Sequence, residues 1–134
     1  ALGDNPGLWE GPIRRGRCIV PTMGFFEPHA TETRPNPRGG KPVKRQYRFC
    51  SPDSGGITLL GGVRDDRAFS IVTTAPNAAI APVHDRMPLV LREDEVKSWL
   101  AGDPMAFADR SAIALDVAPE DEGDDPEDQM QLAL

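Results

Sequence analysis

The chain has 134 residues, 39% of them hydrophobic and 27% charged, the size and balance of one globular domain with a modest core rather than two. No apolar run approaches the ~20 residues that span a bilayer, and the opening Ala1-Leu2-Gly3-Asp4-Asn5-Pro6 lacks the basic-then-apolar order of a signal peptide. A cytoplasmic protein without a membrane segment is therefore expected. Fourteen prolines and thirteen glycines disfavour a helical bundle and predict many turns.

Charge is spread unevenly. Residues 1–50 carry nine lysines and arginines against four acids, whereas the last 34 residues hold Arg110 alone against ten, seven of them between Glu120 and Asp128. A solvated acidic tail can mask a basic face, so the net charge of −6 leaves a nucleic-acid partner open. Two cysteines, Cys18 and Cys50, build no disulfide framework and show no zinc spacing. The chain opens on Ala1 rather than Met, the beginning expected of a processed or truncated product.

In chain order, residues 1–12 are rich in Gly and Pro and read as an irregular lead-in. Arg17–Val20 and Gly24–Phe26 read as short strands interrupted by Pro21. Thr31–Pro42, with three prolines, reads as a loop too long for mere connection. Val43–Cys50 alternates as a half-buried strand does, with Tyr47 and Phe49 on one side and Arg45 and its basic neighbours near the other. Ile57–Val63 and Ala68–Thr74 are continuous apolar runs joined by Arg64-Asp65-Asp66-Arg67, the pattern of two buried strands in a meander. Pro88–Leu91 adds a strand. Glu93–Ala101 has Val96, Trp99 and Leu100 at helical spacing, with Gly102 placed to stop the helix. Ala118–Asp128 reads as disordered, and Met130–Leu134 is apolar enough to dock on the domain or a neighbour. The sum is a run of short strands with one helix, expected as a mostly antiparallel sheet in a domain over residues 1–117, followed by an acidic tail over 118–134.

Two segments hold more polar chemistry than a fold requires. In Gly24-Phe25-Phe26-Glu27 a carboxylate ends an apolar strand, where partial burial raises its pKa and suits it to proton transfer; the plain alternative is a surface glutamate. In Pro82-Val83-His84-Asp85-Arg86-Met87-Pro88 an imidazole is followed by an acid and a guanidinium. Asp85 either orients His84 or pairs Arg86, and the plain alternative is a histidine capping a loop. Thr73, Thr74 and Asn77 can hold a polar substrate, or can do the turn and cap chemistry common to such residues. No Gly-rich phosphate loop is present, and no cofactor or metal is expected.

Arg14-Arg15-Gly16-Arg17-Cys18-Ile19-Val20-Pro21, Gly24-Phe25-Phe26-Glu27, Ile71-Val72-Thr73-Thr74-Ala75-Pro76-Asn77 and Pro82-Val83-His84-Asp85-Arg86-Met87-Pro88 occur in this order. Together they resemble the SOS response-associated peptidase family over about Arg14 to Leu100. The resemblance implies a β-rich α+β fold with a positive cleft, and a DNA-damage protein that senses abasic sites in single-stranded DNA. It implies that an N-terminal cysteine joins the ring-opened sugar as a thiazolidine, with glutamate and histidine roles falling on Glu27 and His84. DNA contacts are expected from Thr73, Thr74, Asn77, Arg86 and Arg17. Pro28 stands where the family commonly has Trp, and the cysteine is absent from this chain, which is expected to be the C-terminal part of a longer member.

By this reading Glu27 and His84 meet in one cleft rimmed by cations drawn from Arg14, Arg15, Arg17, Lys41, Lys44, Arg45, Arg48 and Arg86, in a monomer acting on the nucleoid. Two other classes compete. One is a noncatalytic single-strand-binding or regulatory module; the other is a peptidase or hydrolase, for which neither a nucleophile elbow nor an HExxH site is present.

Overall fold

The computed structural model describes residues 6–52 and 55–120. Its elements are α1 (Pro6–Arg15), β1 (Arg17–Thr22), β2 (Phe25–Arg34), β3 (Val43–Cys50), β4 (Thr58–Arg64), β5 (Phe69–Ile71) and β6 (Thr73–Thr74). They continue with β7 (Met87–Pro88), β8 (Val90–Leu91), α2 (Val96–Ala101) and β9 (Asp116–Pro119), with 3₁₀ turns at Glu93–Glu95 and Pro104–Phe107. Every strand pair given for these elements is antiparallel. The β-rich α+β class expected from the sequence is the class observed.

β4 organises the larger sheet. It pairs with β1 along one edge, and with β5 and β8 along different stretches of its length. Both of its faces are covered, which is why its sequence is apolar without alternation. Leu60 packs with Val20, Val90, Ile80, Val83, Met87 and Phe49. Leu59 and Val63 pack with Ile19, Leu89, Leu91, Trp99 and Phe107. Fully burying each such side chain stabilises the fold by roughly 1.5–3 kcal/mol. The second sheet, in order β2-β3-β9, is fastened to the first cluster by Phe49 and Phe25, whose rings stack with centroids 5.4 Å apart.

Several local expectations are corrected. The lead-in is helical: Pro6 stands at the first position of α1, where its fixed φ suits a helix start and its missing N–H costs nothing. Pro21 does not interrupt β1, because β1 is an edge strand, where proline is tolerated. β2 continues to Arg34, so the expected loop shrinks to residues 35–42. Arg45 shares its side of β3 with Tyr47, since both side chains reach Glu32. Ala68–Thr74 splits between two sheets, and its Phe69, like Ile57 before it, is exposed. Leu100 likewise turns outward from α2, whose buried residue is Trp99. The expected pairing of the two runs holds between β4 and β5, whereas β3 belongs to the other sheet. The tail starts later than Ala118: β9 pairs Ala118 with Arg48 and Pro119 with Tyr47, and the Glu120 amide donates to Gln46. The acidic run beyond Glu120 and Met130–Leu134 lie outside the described residues.

Gly61 is fixed by contact rather than by backbone angle. A Cβ there would lie 2.6 Å from Leu89 Cδ2 and 3.2 Å from the Trp99 ring, and both side chains are fully buried. Gly61→Ala is expected to destabilise the protein by roughly 1–3 kcal/mol, the cost of overpacking, measured by urea denaturation. An unchanged midpoint would show that Leu89 and Trp99 have room to shift.

Candidate active site

The inner face of the second sheet carries the acid. Antiparallel register sets Phe25 opposite Phe49 and Glu27 opposite Tyr47, so Glu27 projects on the same side as the stacked phenylalanines, one pleat further along. Burial is the main cause that pushes the Glu27 carboxyl above its ordinary range; His84 opposes the shift and Asp85 adds to it.

His84 comes from the segment between β6 and β7. After Thr74 the chain turns tightly, with the amides of Ile80 and Ala81 donating to Asn77 and that of His84 donating to Ile80. This turn delivers His84 to the end of β2, with His84 Nε2 3.7 Å from Glu27 Oε2. The other ring nitrogen, Nδ1, lies 3.2 Å from the Arg86 amide, 3.1 Å from the Arg86 carbonyl and 3.3 Å from Asp85 Oδ1. The amide needs a bare Nδ1, whereas the carbonyl and the carboxylate need a protonated one. Nδ1 thus faces one donor and two acceptors.

Beside the imidazole, Arg86 Nε and Nη2 lie 3.2 and 3.3 Å from Thr73 Oγ1. The pairing of Thr73 with Pro88 across β6 and β7 brings these residues together. The expected meeting of Glu27 and His84 across 57 positions is therefore present in the fold, with Thr73 and Arg86 alongside.

The other residues singled out from sequence sit elsewhere. Asn77 is buried, its Nδ2 donating to the carbonyls of Ile113 (3.0 Å) and Arg110 (3.4 Å) and its Oδ1 accepting from the Ala79 amide. It ties the turn to the C-terminal segment. Thr74 is buried, and its hydroxyl donates to the Ala75 carbonyl. Arg17 lies over the Trp99 ring and donates to the Gly102 carbonyl at 2.6 Å, closing α2 onto β1. Of the cations expected around the cleft, Arg86 flanks His84, and Arg45 lies on β3 two residues from Tyr47, the cross-strand partner of Glu27. Arg48 lies one residue out of phase with Tyr47 on β3 and donates to the Met23 carbonyl and towards Cys50 Sγ.

Sequence reasoning missed a second polar cluster next to Glu27. Tyr47 Oη donates to the Glu32 carboxylate at 2.8 Å, and so does Arg45 Nη1. These bonds, Tyr47 first, hold the Glu32 carboxyl below its ordinary range. The bond to Glu32 in turn raises the Tyr47 phenol. His29 belongs to the same cluster, its ring 5.6 Å from that of Tyr47.

A separate cavity of about 370 Å³, lined by Leu59, Val90, Leu91 and Ile113 with Arg92 and Glu93, includes neither Glu27 nor His84. Among the described residues no three histidine, cysteine or carboxylate groups converge as a metal site requires. Among them, too, no helix is long and apolar enough to cross a membrane.

The family model described as SOS response associated peptidase (SRAP) matches residues 4–122. The chain belongs to the SRAP family. Among curated relatives, the abasic site processing protein YoqW of Bacillus subtilis (strain 168) is 26% identical over an alignment 108 positions long that covers 74% of this chain and 44% of that protein. The abasic site processing protein YobE of the same organism is 27% identical over an alignment 105 positions long that covers 74% of this chain and 45% of that protein. The SRAP chain described here thus spans less than half the length of these relatives. A solved structure of a protein from Bacteroides thetaiotaomicron superposes with a TM-score of 0.62 at 24% identity, covering 87% of this chain and 56% of that one. A phage-related protein from Bordetella bronchiseptica gives 0.58 at 26%, covering 90% and 61%. The SRAP fold expected from the four motifs is the fold these structures share.

The raised Glu27 carboxyl has a stability consequence whose sign is fixed. A group whose folded pKa is raised contributes stability below its unfolded value, 4.5 for glutamate, and loses it as pH rises through the folded value. Glu27→Gln is therefore expected to raise the melting temperature at pH 7 and to leave it nearly unchanged below pH 4. Glu32 runs the opposite way: its stabilisation is present above 4.5 and fades on acidification. Thermal denaturation across pH checks both, and a Glu27→Gln protein that melts lower at pH 7 would show the carboxylate to be favourably paired rather than desolvated.

Proposed function

We propose that this chain carries the acid–base pair of a protein that processes abasic sites in single-stranded DNA, acting as a monomer in the cytoplasm. The observation that carries the reading is the approach of Glu27 to His84 from different parts of the chain, beside a cation that can meet a phosphate. A carboxyl raised by burial and an imidazole facing it can trade protons. The names of the curated relatives supply the substrate class.

The chemistry that suits this pair begins with the abasic sugar, a hemiacetal in equilibrium with its aldehyde. His84 protonates the ring oxygen as the C1′–O4′ bond breaks, and the C1′ hydroxyl gives its proton to water, leaving the aldehyde. An amine adds to the C1′ aldehyde, and Glu27 moves a proton between the carbinolamine nitrogen and its hydroxyl, so that water leaves and an imine forms. If the amine belongs to an N-terminal cysteine, its thiol adds to the imine carbon, the thiol proton passes to nitrogen, and a thiazolidine closes with no net change of oxidation state. Arg86 would neutralise a backbone phosphate. A nucleotide without a base unstacks at little cost.

Neither cysteine of this chain can be that nucleophile, because Cys18 lies inside β1 and Cys50 at the end of β3, with their nitrogens in peptide bonds. The chain that begins at Ala1 is expected to bind single-stranded DNA with a salt-dependent affinity and to leave no adduct that survives denaturing gels. A form extended at its N-terminus to begin with cysteine is expected to trap an abasic oligonucleotide. Glu27→Ala or His84→Ala in that form is expected to slow trapping about a hundredfold, the scale of lost acid–base catalysis. A stable adduct from the Ala1 chain would overturn the nucleophile assignment, and none from the cysteine form would favour a noncatalytic binding module.

A further inference from the structure

We propose that His29 is a positioning residue for the Glu27–His84 pair: it caps an arch in β2 that straps the acid-bearing strand to the loop carrying the base. The proposal rests on the reading of that pair as the acid–base centre, and every contact it uses lies within the described residues.

The arch appears in the strand register. β2 and β3 pair as Pro28 with Gln46, and the pairing resumes as Thr33 with Lys44. His29, Ala30, Thr31 and Glu32 thus stand opposite Arg45 alone. Extra residues in one strand bend it and re-aim its backbone groups. Here the bend turns the Ala30 amide outward, where it donates to the Val83 carbonyl at 3.0 Å. Val83 precedes His84 and Ala30 lies three residues beyond Glu27, so this bond joins the two halves of the site directly.

The arch leaves amides that the β3 ladder does not satisfy, and His29 takes two of them. Its Nδ1 accepts from the amides of Thr31 at 3.1 Å and Glu32 at 2.9 Å. A nitrogen that accepts both is unprotonated, so the proton of the neutral ring is on Nε2, which lies 3.9 Å from Glu32 Oε2. The far foot of the arch is pinned by Glu32, held by Tyr47 and Arg45. Tyr47 is also the cross-strand partner of Glu27. One ring therefore shapes the backbone, one carboxylate anchors it, and the outcome is the spacing between Glu27 and His84.

Histidine does here what asparagine does in an Asx-turn, since Nδ1 of one and Oδ1 of the other are both attached to Cγ and reach the same amides. Asparagine is thus the conservative replacement and alanine the disruptive one. In the 134-residue chain, His29→Ala is expected to speed hydrogen exchange at the Ala30 amide tenfold or more and to move the Glu27 carboxyl, followed by NMR, back towards its ordinary range. In the cysteine-led form the same change is expected to slow adduct formation about tenfold while affinity for an intact single strand stays the same. His29→Asn is expected to restore all three. A merely structural role would lower the melting temperature and leave the Glu27 titration and the adduct rate of the folded protein unchanged, which overturns the proposal. Fast exchange at Ala30 in the native chain, or failure of asparagine to rescue, overturns it as well. Glu27→Gln is the control for the underlying reading: if that variant forms adduct at the native rate while Ala30 stays protected, the acid–base reading fails and the strap survives only as architecture.

Discussion

β4 crosses the domain with no side chain at Gly61 or Gly62, and the His84 half of the candidate site depends on what that bareness admits. On one side Leu89 and Trp99 close onto Gly61; on the other, Cys18 and the β5 backbone close onto Gly62. Gly61 donates to the Leu89 carbonyl and accepts from the Val72 amide, and the Leu89 amide donates to Val72. Three chain segments are thereby locked at one point. The next residues outward, Thr73–Thr74 and Met87–Pro88, pair as a short ribbon, and beyond that ribbon stand Arg86 and His84. His84 is therefore set at the end of a hydrogen-bonded ladder that starts in the core, and loops built on such scaffolds are where precise side-chain placement is found.

Glu27 reaches the same place by another route. Its strand belongs to the smaller sheet, joined to the first core by Phe25 and Phe49 and to the His84 loop by the Ala30–Val83 bond. Two competing effects act on its carboxyl, desolvation against the apolar face and attraction to the imidazole. Desolvation is the larger, so the group is kept ready to hold a proton instead of being settled as a fixed partner of His84. Glu95 shows the contrary balance. Burial alone would raise its carboxyl, but the Arg110 side chain and the Arg92 amide outweigh that and hold it low. Glu95 accepts hydrogen bonds from Arg110 and the Arg92 amide, and these hydrogen bonds separate its lowered carboxyl from the raised one of Glu27.

Much of this was legible in the residues. Alternation over Val43–Cys50 matched β3 to its limits, and the unbroken apolar run at Ile57–Val63 marked a strand buried on both faces. The approach of Glu27 to His84 was expected from the family resemblance of their motifs, since the residues alone left a surface glutamate and a loop histidine open. What escaped was whatever depends on partners distant in sequence. α1 hid in a stretch whose prolines and glycines read as irregular. Asn77 and Arg17 are of types that bind phosphate or sugar equally well, yet they are held by the carbonyls of Ile113 and Gly102, which no local pattern announces. His29 was invisible for the same reason: its value comes from a register slip between β2 and β3, and the only hint in the sequence was a second histidine close to Glu27.

The central claim is that a single-stranded abasic site is received between Glu27 and His84. The most direct test is chemical-shift mapping of the 134-residue chain with two oligonucleotides of equal length, one with a central abasic site and one intact. The abasic strand is expected to perturb Glu27, His84, Thr73 and Arg86 beyond the changes that the intact strand produces. Perturbations confined to the cavity around Arg92 and Ile113, or identical for the two strands, would contradict the account.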